Sequence, residues 1–380
     1  MSHIEIVGGG PAGLYFALLM KRRMGSGLRV SVSEQNPRDA TFGFGVVFSD
    51  RALEFLRRGD AETYDLVYRN MQTWQDLGIA HRGETVVIDG NGFSAIGRLH
   101  LLELLYRECE AAGVALEFET RVEDLDARAK ADLLVGADGV NSSVRAHWAE
   151  ALRPQLSYLS NKFVWYGTTQ SFERLTLTFK ENEDGAFVAH HYRYRPDMST
   201  FIVECDAETW GRAGFEAMSD AENRAYCEQV FAAELGGHPL VSNKSVWRNF
   251  PVLEVRNWYH DNVVLLGDAL RTVHFSIGSG TRLALEDSLA LANAFEAEDM
   301  NFKRALARFV AERRPVVDKI LSGALASAKW YERFAERMHL SPTAFAYDYM
   351  TRSGRMDDER LREVAPRFYE RWRVEVGASN

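Results

Sequence analysis

Cysteine is scarce in this sequence. The three cysteines among the 380 residues, Cys109, Cys205 and Cys227, are widely spaced, and none belongs to a C-x-x-C motif. This scarcity excludes a disulfide framework and a cysteine-based zinc site, and it indicates reduced thiols in a cytoplasmic protein. Spacings of the H-E-x-x-H kind are also missing, so we expect no metal site.

Long apolar and long basic runs are missing too. The longest apolar run near the N-terminus, LYFALLM, has seven residues, which is too short for a membrane span, and no cleavable signal precedes it. The net charge is −9 without a long basic run, which argues against nucleic acid as the main partner. With 46% hydrophobic residues, the chain is expected to be a cytoplasmic globular enzyme of about two or three domains.

A glycine cluster follows the first predicted strand. In IEIVGGGPAG, Gly8, Gly10 and Gly13 have the spacing G-x-G-x-x-G, with Pro11 and Ala12 inside it at the start of an apolar helix. The first glycine of such a motif makes a tight turn, the second lets the backbone approach a pyrophosphate, and the third lets the helix pack close to the strand. The free N–H groups of the helix N-terminus would then bind the phosphates.

Glu34 supports this interpretation of the glycine turn. It ends the second predicted strand, about twenty residues after the turn, where an acidic side chain suits the hydroxyls of a ribose. A second G-x-G-x-x-G does not occur, because GNGFSAIG has the wrong spacing. The sequence therefore predicts one dinucleotide site.

The pattern of the chain changes between residues 158 and 250. Its short apolar segments, FVWYGTT, LTLTFKE, GAFVAHHYRY and TFIVECD, are typical of a mostly antiparallel sheet. NVVLLGDA then returns to the strand pattern of the N-terminal part, and the rest is mostly helical. We predict an α/β protein with a Rossmann-like domain (residues 1–157 and 251–330), an inserted β-sheet domain (158–250) and a C-terminal helical segment (331–380).

Two short motifs follow buried apolar strands. Asp138 and Gly139 come after ADLLVGA, and Gly267 and Asp268 come after NVVLL. Each pair alone is only a turn signal. Together with the glycine turn upstream, and with Arg98 before an apolar helix, they resemble the single-component flavoprotein aromatic monooxygenases, the class related to 4-hydroxybenzoate hydroxylase. The resemblance covers nearly the full length, and it implies a Rossmann-like FAD-binding domain and an inserted substrate-binding sheet.

The resemblance also implies which residues contact FAD. Arg98 would reach FAD from the helix that it precedes, Asp268 would accept a ribityl hydroxyl, and Asp138-Gly139 would lie near the pyrophosphate, where NAD(P)H approaches. The helix that starts at GSGT would direct its positive end at the flavin and favour the reduced flavin anion. The complete set of expected FAD contacts is Gly8, Gly10, Pro11, Ala12, Gly13, Glu34, Arg98, Asp138, Gly139, Gly267, Asp268, Gly278, Gly280 and Thr281.

Four sequence blocks narrow the resemblance. GFGVVFSD, FVWYGTTQSF, STFIVEC and HFSIGSGT are similar to blocks of the salicylyl-CoA 5-hydroxylases, of the monooxygenase half of 2-aminobenzoyl-CoA monooxygenase/reductase, and of the indole-ring hydroxylase of violacein biosynthesis. Arg271 stands where a histidine is common in the wider class, and Phe275 where a proline is common, which points to a subfamily. The 380 residues leave no room for the reductase domain of the bifunctional enzymes, so we expect a stand-alone hydroxylase.

The resemblance implies hydroxylation of an aromatic ring. NAD(P)H reduces FAD, O₂ forms a flavin C4a-hydroperoxide, and an oxygen atom passes to an electron-rich ring while the protein orients the ring and excludes water. The most direct expectation for the substrate is an aryl-CoA thioester such as salicylyl-CoA. The CoA phosphates would need local basic residues, and the candidates are the segment MKRRMGSGLR and the region around Arg352 and Arg355.

Three residues are candidates for catalytic contact with the substrate. His274, beside the glycine-containing loop, could bond a ring hydroxyl or amine and raise the electron density of the ring. Tyr166 and His190 belong to the predicted inserted sheet, which is the substrate wall of this class. Trp165 and Tyr192 also belong to that sheet, and we expect them in the core.

Other functions remain open at this point. An indole-ring hydroxylase of the violacein type would act on an uncharged indole substrate. An FAD-dependent reductase or oxidase without oxygen transfer would oxidise NAD(P)H without forming a hydroxylated product. A flavin-binding sensor without turnover is disfavoured by the polar and aromatic residues of 163–194, and a flavin halogenase is disfavoured because W-x-W-x-I-P is missing.

Overall fold

The computed structural model describes residues 2–40 and 43–378. Within these residues the strands form three sheets. In chain order the strands are β1 (Ser2–Val7), β2 (Leu28–Ser33), β3 (Gly45–Ser49), β4 (Gln72–Trp74), β5 (Leu77–His81), β6 (Glu84–Ile88), β7 (Phe93–Gly97), β8 (Ala115–Glu117), β9 (Leu133–Gly136), β10 (Pro154–Thr168), β11 (Thr176–Asn182), β12 (Gly185–Arg195), β13 (Met198–Cys205), β14 (Leu240–Val241), β15 (Arg248–Val255), β16 (Tyr259–His260) and β17 (Val263–Leu265).

Helices alternate with strands in the N-terminal part and predominate near the C-terminus. In chain order the α-helices are α1 (Pro11–Met24), α2 (Asp50–Gly59), α3 (Ala61–Tyr68), α4 (Arg98–Ala111), α5 (Leu125–Arg128), α6 (Ser143–His147), α7 (Ala149–Leu152), α8 (Ala207–Arg212), α9 (Asp220–Val230), α10 (Ala232–Leu235), α11 (Gly280–Ala297), α12 (Phe302–Tyr331), α13 (Pro342–Thr351), α14 (Asp358–Val364) and α15 (Pro366–Ala378). Over the described ranges, every helix is too short or too polar to cross a lipid bilayer.

The first sheet has the strand order β16, β17, β9, β1, β2, β8. Its pairs are parallel except for β16 with β17. Because the carboxyl ends of parallel strands meet at one edge of a sheet, the segments after β1, β2, β9 and β17 come together there. Backbone hydrogen bonds join them, including Gly8 N–H to the Ser33 carbonyl (2.8 Å) and Leu266 N–H to the Gly136 carbonyl (2.9 Å). We call this region the carboxyl edge of the first sheet.

Helix α1 lies inside the protein rather than on its surface. Its residues 12–20 are buried without a break, which is typical of a helix that is apolar on all sides. It packs against α4, α11 and β2. Its position behind the glycine turn is therefore fixed by a continuous apolar core.

The second sheet has the order β14, β10, β13, β12, β11, β5, β6, with β15 also paired to β10. It is mostly antiparallel, and its parallel pair is β11 with β5. The hairpin of β5 and β6 comes from the segment that we assigned to the FAD-binding domain. A two-stranded hairpin is at best marginally stable alone, and its pairing with β11 accompanies the burial of Leu77 and Ile79. The domain boundaries stay a prediction, whereas the sheet membership of β5 and β6 is clear.

Both faces of the second sheet are covered. Phe179 and Tyr192 belong to a core with helices α12 to α15. Phe187 and Phe201 belong to a core with α8 to α10 on the other face. The three cysteines are buried and free of disulfides.

The third, small sheet has the order β3, β7, β4, and it is fastened to the second sheet. The Tyr192 hydroxyl donates to the Gly45 carbonyl (3.0 Å), and the Gly45 N–H donates to the Thr200 hydroxyl (2.9 Å). These bonds fix the start of β3 against β12 and β13.

Candidate active site

A cavity of about 530 Å³ lies between the carboxyl edge of the first sheet and one face of the second sheet. Its size is typical of a small-molecule site, and we call it the main cavity. Ten of the predicted FAD contacts line it, namely Gly10, Pro11, Ala12, Arg98, Gly139, Gly267, Asp268, Gly278, Gly280 and Thr281. The other four, Gly8, Gly13, Glu34 and Asp138, are not part of its lining.

Gly8 and Gly13 allow the close approach of backbone segments at the glycine turn. Gly8 has a φ of +107°, and a Cβ there would lie 2.3 Å from the Ala137 carbonyl oxygen. A Cβ on Gly13 would lie 2.3 Å from the Gly8 carbonyl oxygen. Both positions therefore require glycine, and the resulting cradle between β1, β9 and α1 fits the pyrophosphate of a dinucleotide.

The Glu34 carboxylate is held next to this turn. One oxygen accepts a hydrogen bond from the Gly9 N–H (2.8 Å), and the other accepts from the backbone and side-chain amides of Asn36 (2.8 and 2.7 Å). A carboxylate has about four acceptor sites, so acceptor capacity remains for a ribose hydroxyl. That contact remains a prediction.

Two helices begin at the main cavity without a side-chain cap. Within the described part of the chain, no side chain caps the first turn of α1 or of α11. Pro11, Ala12, Gly280 and Thr281 line the cavity. The free N–H groups and the positive dipole ends therefore lie at its wall. Such ends suit the pyrophosphate of FAD at α1 and a negatively charged reduced flavin at α11.

Arg98 and Asp268 bring opposite charges to the main cavity. Neither side chain is hydrogen-bonded to another described residue. The surrounding protein raises the pKa of the Asp268 carboxyl by desolvation, although the cavity leaves this side chain exposed, and Arg98 and Arg271 oppose the rise. Both side chains face the cavity with hydrogen-bonding capacity left, so they can bind a polar ligand there. The ribityl hydroxyls of FAD fit the acceptor that Asp268 offers.

Asp138 stabilises the backbone near the cavity and does not line it. Its carboxylate accepts from the Ser142 hydroxyl (2.5 Å) at the start of α6. Arg145 in α6 donates to the Ala269 carbonyl (2.9 Å), so the segments after β9 and β17 are joined. Gly139 lines the cavity instead.

The register of the second sheet determines which side chains reach the main cavity. Trp165 pairs with Ile202, and Ile202 pairs with His190. All three line the cavity. His190 is therefore the one catalytic candidate of the sequence analysis that contributes to this wall.

Tyr166 lies on the opposite face, which corrects our expectation that it joins His190. It pairs with Phe201, which pairs with His191, and it is buried in the core with α8 to α10. Neighbouring residues of a strand point to opposite faces, so Trp165 reaches the cavity and Tyr166 does not. Tyr192, which we expected in the core, lines the cavity as well.

His274 is separated from the main cavity by Phe275. The two rings stack with centroids 4.3 Å apart, and Phe275 lines the main cavity. His274 instead lines a second cavity of about 570 Å³ beside β15 and α12. Burial lowers the pKa of His274 to about 4, and its Nδ1 accepts the Ser276 N–H (3.3 Å). The imidazole is therefore neutral at neutral pH, with its proton on Nε2.

Glu204 lies behind His190 as seen from the main cavity. His190 Nε2 is 3.7 Å from a Glu204 carboxylate oxygen, and the other oxygen accepts from the Asn161 amide (2.8 Å). Burial lowers the pKa of His190 to about 3 and raises the pKa of Glu204. The imidazole of His190 is therefore neutral at neutral pH, and it can accept or donate a hydrogen bond.

Arg271 belongs to a buried cluster of charged side chains. It donates to Asp287 in α11 and lies over the Trp258 ring at 4.9 Å. Arg313 in α12 donates to the same carboxylate (2.8 Å). The cluster therefore ties the loop after β17 to α11 and α12.

Several residues in or beside the main cavity carry no recognisable signal in the sequence. Tyr349 comes from the C-terminal helical segment, and Arg352 packs on its ring at 3.7 Å and donates to the Ser276 carbonyl (2.9 Å). Glu204 is one of many acidic residues. Trp165 could have been found from the two-residue alternation of strands, once the cavity face of β10 was known.

A model of the FAD binding domain family matches residues 1–324. Three curated proteins are similar over most of the chain. Salicyloyl-CoA 5-hydroxylase of a Streptomyces species is 39% identical, over 92% of this chain and 69% of that protein. Protodeoxyviolaceinate monooxygenase of Chromobacterium violaceum is 37% identical, over 92% and 94%. The 3-hydroxy-4-methyl-anthranilyl-[aryl-carrier protein] 5-monooxygenase of Streptosporangium sibiricum is 36% identical, over 88% and 90%.

A solved structure shares the fold. PqsL of P. aeruginosa, in complex with 2-aminobenzoylacetate, superimposes with a TM-score of 0.69 over 89% of this chain and 98% of that chain, at 22% identity. Together with the family match, this confirms the predicted fold class, a Rossmann-like FAD-binding domain with a mostly antiparallel sheet and a helical C-terminus.

Proposed function

Because this chain belongs to the FAD-dependent aromatic monooxygenases, which use NAD(P)H as co-substrate, we propose that it hydroxylates an aromatic ring carried on a CoA thioester. The best candidate substrate is salicylyl-CoA. The observation that carries the proposal is the 39% identity to salicyloyl-CoA 5-hydroxylase over 92% of this chain. The name of another relative also includes an aromatic acyl group on a carrier, the anthranilyl-[aryl-carrier protein].

The inner wall of the main cavity supports an aromatic substrate. Trp165, Tyr192 and Phe275 offer aromatic surfaces, and Leu177 and Ile202 add apolar surface. Aromatic rings pack favourably in stacked or edge-to-face arrangements with such side chains. His190 supplies a polar group within this apolar wall, which would orient a ring that carries a hydroxyl or an amine.

The residues of the chain would bind, orient and shield the reactants. When bound, FAD supplies the electrons taken from NAD(P)H and the activation of O₂. The start of α11 would stabilise negative charge on the reduced cofactor, and the buried walls would exclude water from the ring. The neutral His190 imidazole would accept a hydrogen bond from a ring hydroxyl, which makes the ring more electron-rich. His274 would act indirectly, by stacking on Phe275.

An indole-ring hydroxylase is the second candidate function. Protodeoxyviolaceinate monooxygenase is 37% identical to this chain and matches over 94% of its own length, so overall similarity barely separates the two candidates. Arginines line the outer part of the main cavity, namely Arg352, Arg355 and Arg360. Several positive charges favour a substrate with several negative charges, which the phosphates of a CoA thioester supply.

Product analysis tests the proposed function. The FAD-loaded protein is incubated with NAD(P)H and, separately, with salicylyl-CoA, 2-aminobenzoyl-CoA, free salicylate or an indole substrate, and the products are identified by mass. We expect a hydroxylated aryl-CoA. Hydroxylation of an indole or of free salicylate, with no aryl-CoA product, would overturn the proposal. Oxidation of NAD(P)H without any hydroxylated product would instead support a reductase or oxidase.

A further inference from the structure

We propose that Arg355 and Arg360, at the outer end of the main cavity, bind the phosphate groups of a CoA arm whose aryl group lies at the inner wall. This inference rests on the proposed function, because it assigns the part of the substrate that lies outside the ring pocket. Phosphate is the shared chemistry of CoA and NAD(P)H, and the experiment below distinguishes the two sources.

The lining of the main cavity changes from buried to exposed along its length. His190, Tyr349 and Met350 are buried. Arg355 and Arg360 line the same cavity and are exposed. The cavity therefore runs from an enclosed aromatic pocket to solvent between the second sheet and the segment that joins α13 to α14. A ring inside and a long polar arm pointing out would match this gradient.

The positive charges at the outer end have no acidic partners. Among the described residues, neither Arg355 nor Arg360 forms an ion pair with a carboxylate, and the guanidinium of Arg360 donates to the Arg355 carbonyl (3.1 Å). Nearby carboxylates have other roles, since Asp357 caps α14 and Asp358 accepts the Tyr347 hydroxyl (2.5 Å). Unpaired guanidinium groups at a cavity are suited to bind phosphate oxygens.

The two arginines lie close enough to repel each other. Partial desolvation by the surrounding protein lowers the pKa of the Arg355 guanidinium although the side chain is exposed, and the charges of Arg360 and Arg282 lower it further. An anion between these groups would relieve the repulsion. Arg352, further inside, donates to the Ser327 hydroxyl and to two carbonyls and adds a positive charge without a carboxylate partner.

A glycine in α12 determines the position of Arg355. A Cβ on Gly323 would lie 2.6 Å from Cδ of Arg355. The arginine stem therefore lies directly on the helix backbone, and a larger residue at position 323 would push it aside. This packing orients the guanidinium, which donates no hydrogen bond to any residue that the structure describes.

In the other basic region considered for CoA, the segment MKRRMGSGLR, arginines form ion pairs within the protein. Arg22 pairs with Glu62 and Glu108, and Arg23 pairs with Glu296. These residues are not part of the main cavity lining. Of the two basic regions considered for CoA, the one at Arg352 and Arg355 is therefore the one that faces the cavity.

Binding measurements with matched ligands test the proposal. Salicylyl-CoA and salicylyl-pantetheine, which lacks the phosphates, are titrated into the oxidised FAD-loaded enzyme, and binding is followed by the change in flavin absorbance. Removing one charge-assisted hydrogen bond should weaken binding roughly tenfold. We therefore expect Arg355→Gln/Arg360→Gln to raise the Kd of salicylyl-CoA at least tenfold and to leave the Kd of salicylyl-pantetheine unchanged. Gly323→Leu should act in the same direction.

Two control substitutions lie outside the cavity, and they are made singly and together so that the pair removes the same two positive charges as the double variant. Arg362→Gln lies on α14 and Arg29→Gln on β2, and both residues are exposed and absent from the cavity lining. Both should bind salicylyl-CoA like the unmodified enzyme. An equally large increase in Kd in these controls would mean that net charge alone matters, and it would overturn the site.

The remaining outcomes also decide the proposal. An unchanged Kd of salicylyl-CoA in the double variant overturns it, and so does equal weakening of salicylyl-pantetheine. If the double variant instead raises the NAD(P)H concentration needed for flavin reduction, the arginines serve the nicotinamide nucleotide and the assignment to CoA fails. Failure of the proposed function is separate, because it appears in the unmodified enzyme as the lack of any hydroxylated aryl-CoA.

Discussion

At the scale of single residues, the most direct prediction concerns Asp268. Its carboxylate faces the main cavity and has no described hydrogen-bond partner. We predict that Asp268→Ala weakens FAD binding by roughly 1.5–3 kcal/mol, because the substitution removes a charged acceptor for a ribityl hydroxyl. FAD retention during gel filtration and the Kd of reconstitution measure this effect.

Asp268→Asn is the matched control for this prediction. The amide keeps one acceptor oxygen, so it should retain more FAD than Asp268→Ala. Equal FAD affinity of the alanine variant and the unmodified protein would show that Asp268 does not contact the cofactor.

The buried imidazole of His191 should make the free energy of unfolding depend on pH. It is buried on the core face of β12, where it bonds the Thr178 hydroxyl (2.9 Å), and burial lowers its pKa from 6.5 to about 3. The unfolded chain therefore takes up a proton below pH 6.5 that the folded protein does not. The stability that depends on a neutral His191 is complete above pH 6.5 and is lost progressively as the pH falls toward 3. At pH 5 the loss should be about 1–2 kcal/mol.

Urea unfolding at neutral pH and at pH 5 measures this difference. His191→Gln should flatten the dependence of the unfolding free energy on pH. His238→Gln, at an exposed position, is the control and should leave the dependence unchanged. A slope that is identical in His191→Gln and in the unmodified protein would contradict the assignment.

Where a local motif determines the geometry, the sequence places residues at the sheet edge, and their contacts with FAD stay a prediction. The glycine turn and the pair Gly267-Asp268 follow strand ends directly, so position in the chain determines position at the sheet edge. Tyr166 was assigned to the wrong face because both faces of β10 are covered, and an apolar run buried on both sides does not reveal which residues face the cavity. Arg360 and Glu204 depend on tertiary contacts between distant segments, which a single sequence does not encode locally.

At the scale of elements, the junction of β1, β9 and α1 tolerates little change. The Cβ of Gly8→Ala would lie 2.3 Å from a rigid backbone carbonyl, at a φ of +107°. We predict a destabilisation on the order of 3 kcal/mol or more and loss of FAD. Thermal unfolding and the FAD content of the purified protein measure both effects.

Gly27→Ala provides the comparison for Gly8. It lies in the same domain, and no atom lies within 4 Å of its added Cβ. It should retain the stability and the FAD content of the unmodified protein. Comparable damage in both variants would show that the glycine turn has no special role.

For the whole molecule, the main cavity joins the FAD contacts to the substrate wall. The predicted FAD contacts and the proposed substrate wall line the same space, so we expect an aromatic substrate to lie beside the flavin. We predict that the correct substrate accelerates NAD(P)H oxidation severalfold, because its binding favours the conformations that complete the site. The rate of NAD(P)H oxidation with and without substrate measures this. Equal rates with every aryl-CoA tested would favour a reductase.

The measurement that tests the central claim most directly is oxygen incorporation. The FAD-loaded enzyme is supplied with NAD(P)H, salicylyl-CoA and isotopically labelled O₂, and the product is analysed by mass spectrometry. Our account predicts one labelled oxygen atom in a hydroxylated salicylyl-CoA, formed as NAD(P)H is consumed. Consumption of NAD(P)H with hydrogen peroxide as the sole oxygen product, and with the thioester unchanged, would contradict it.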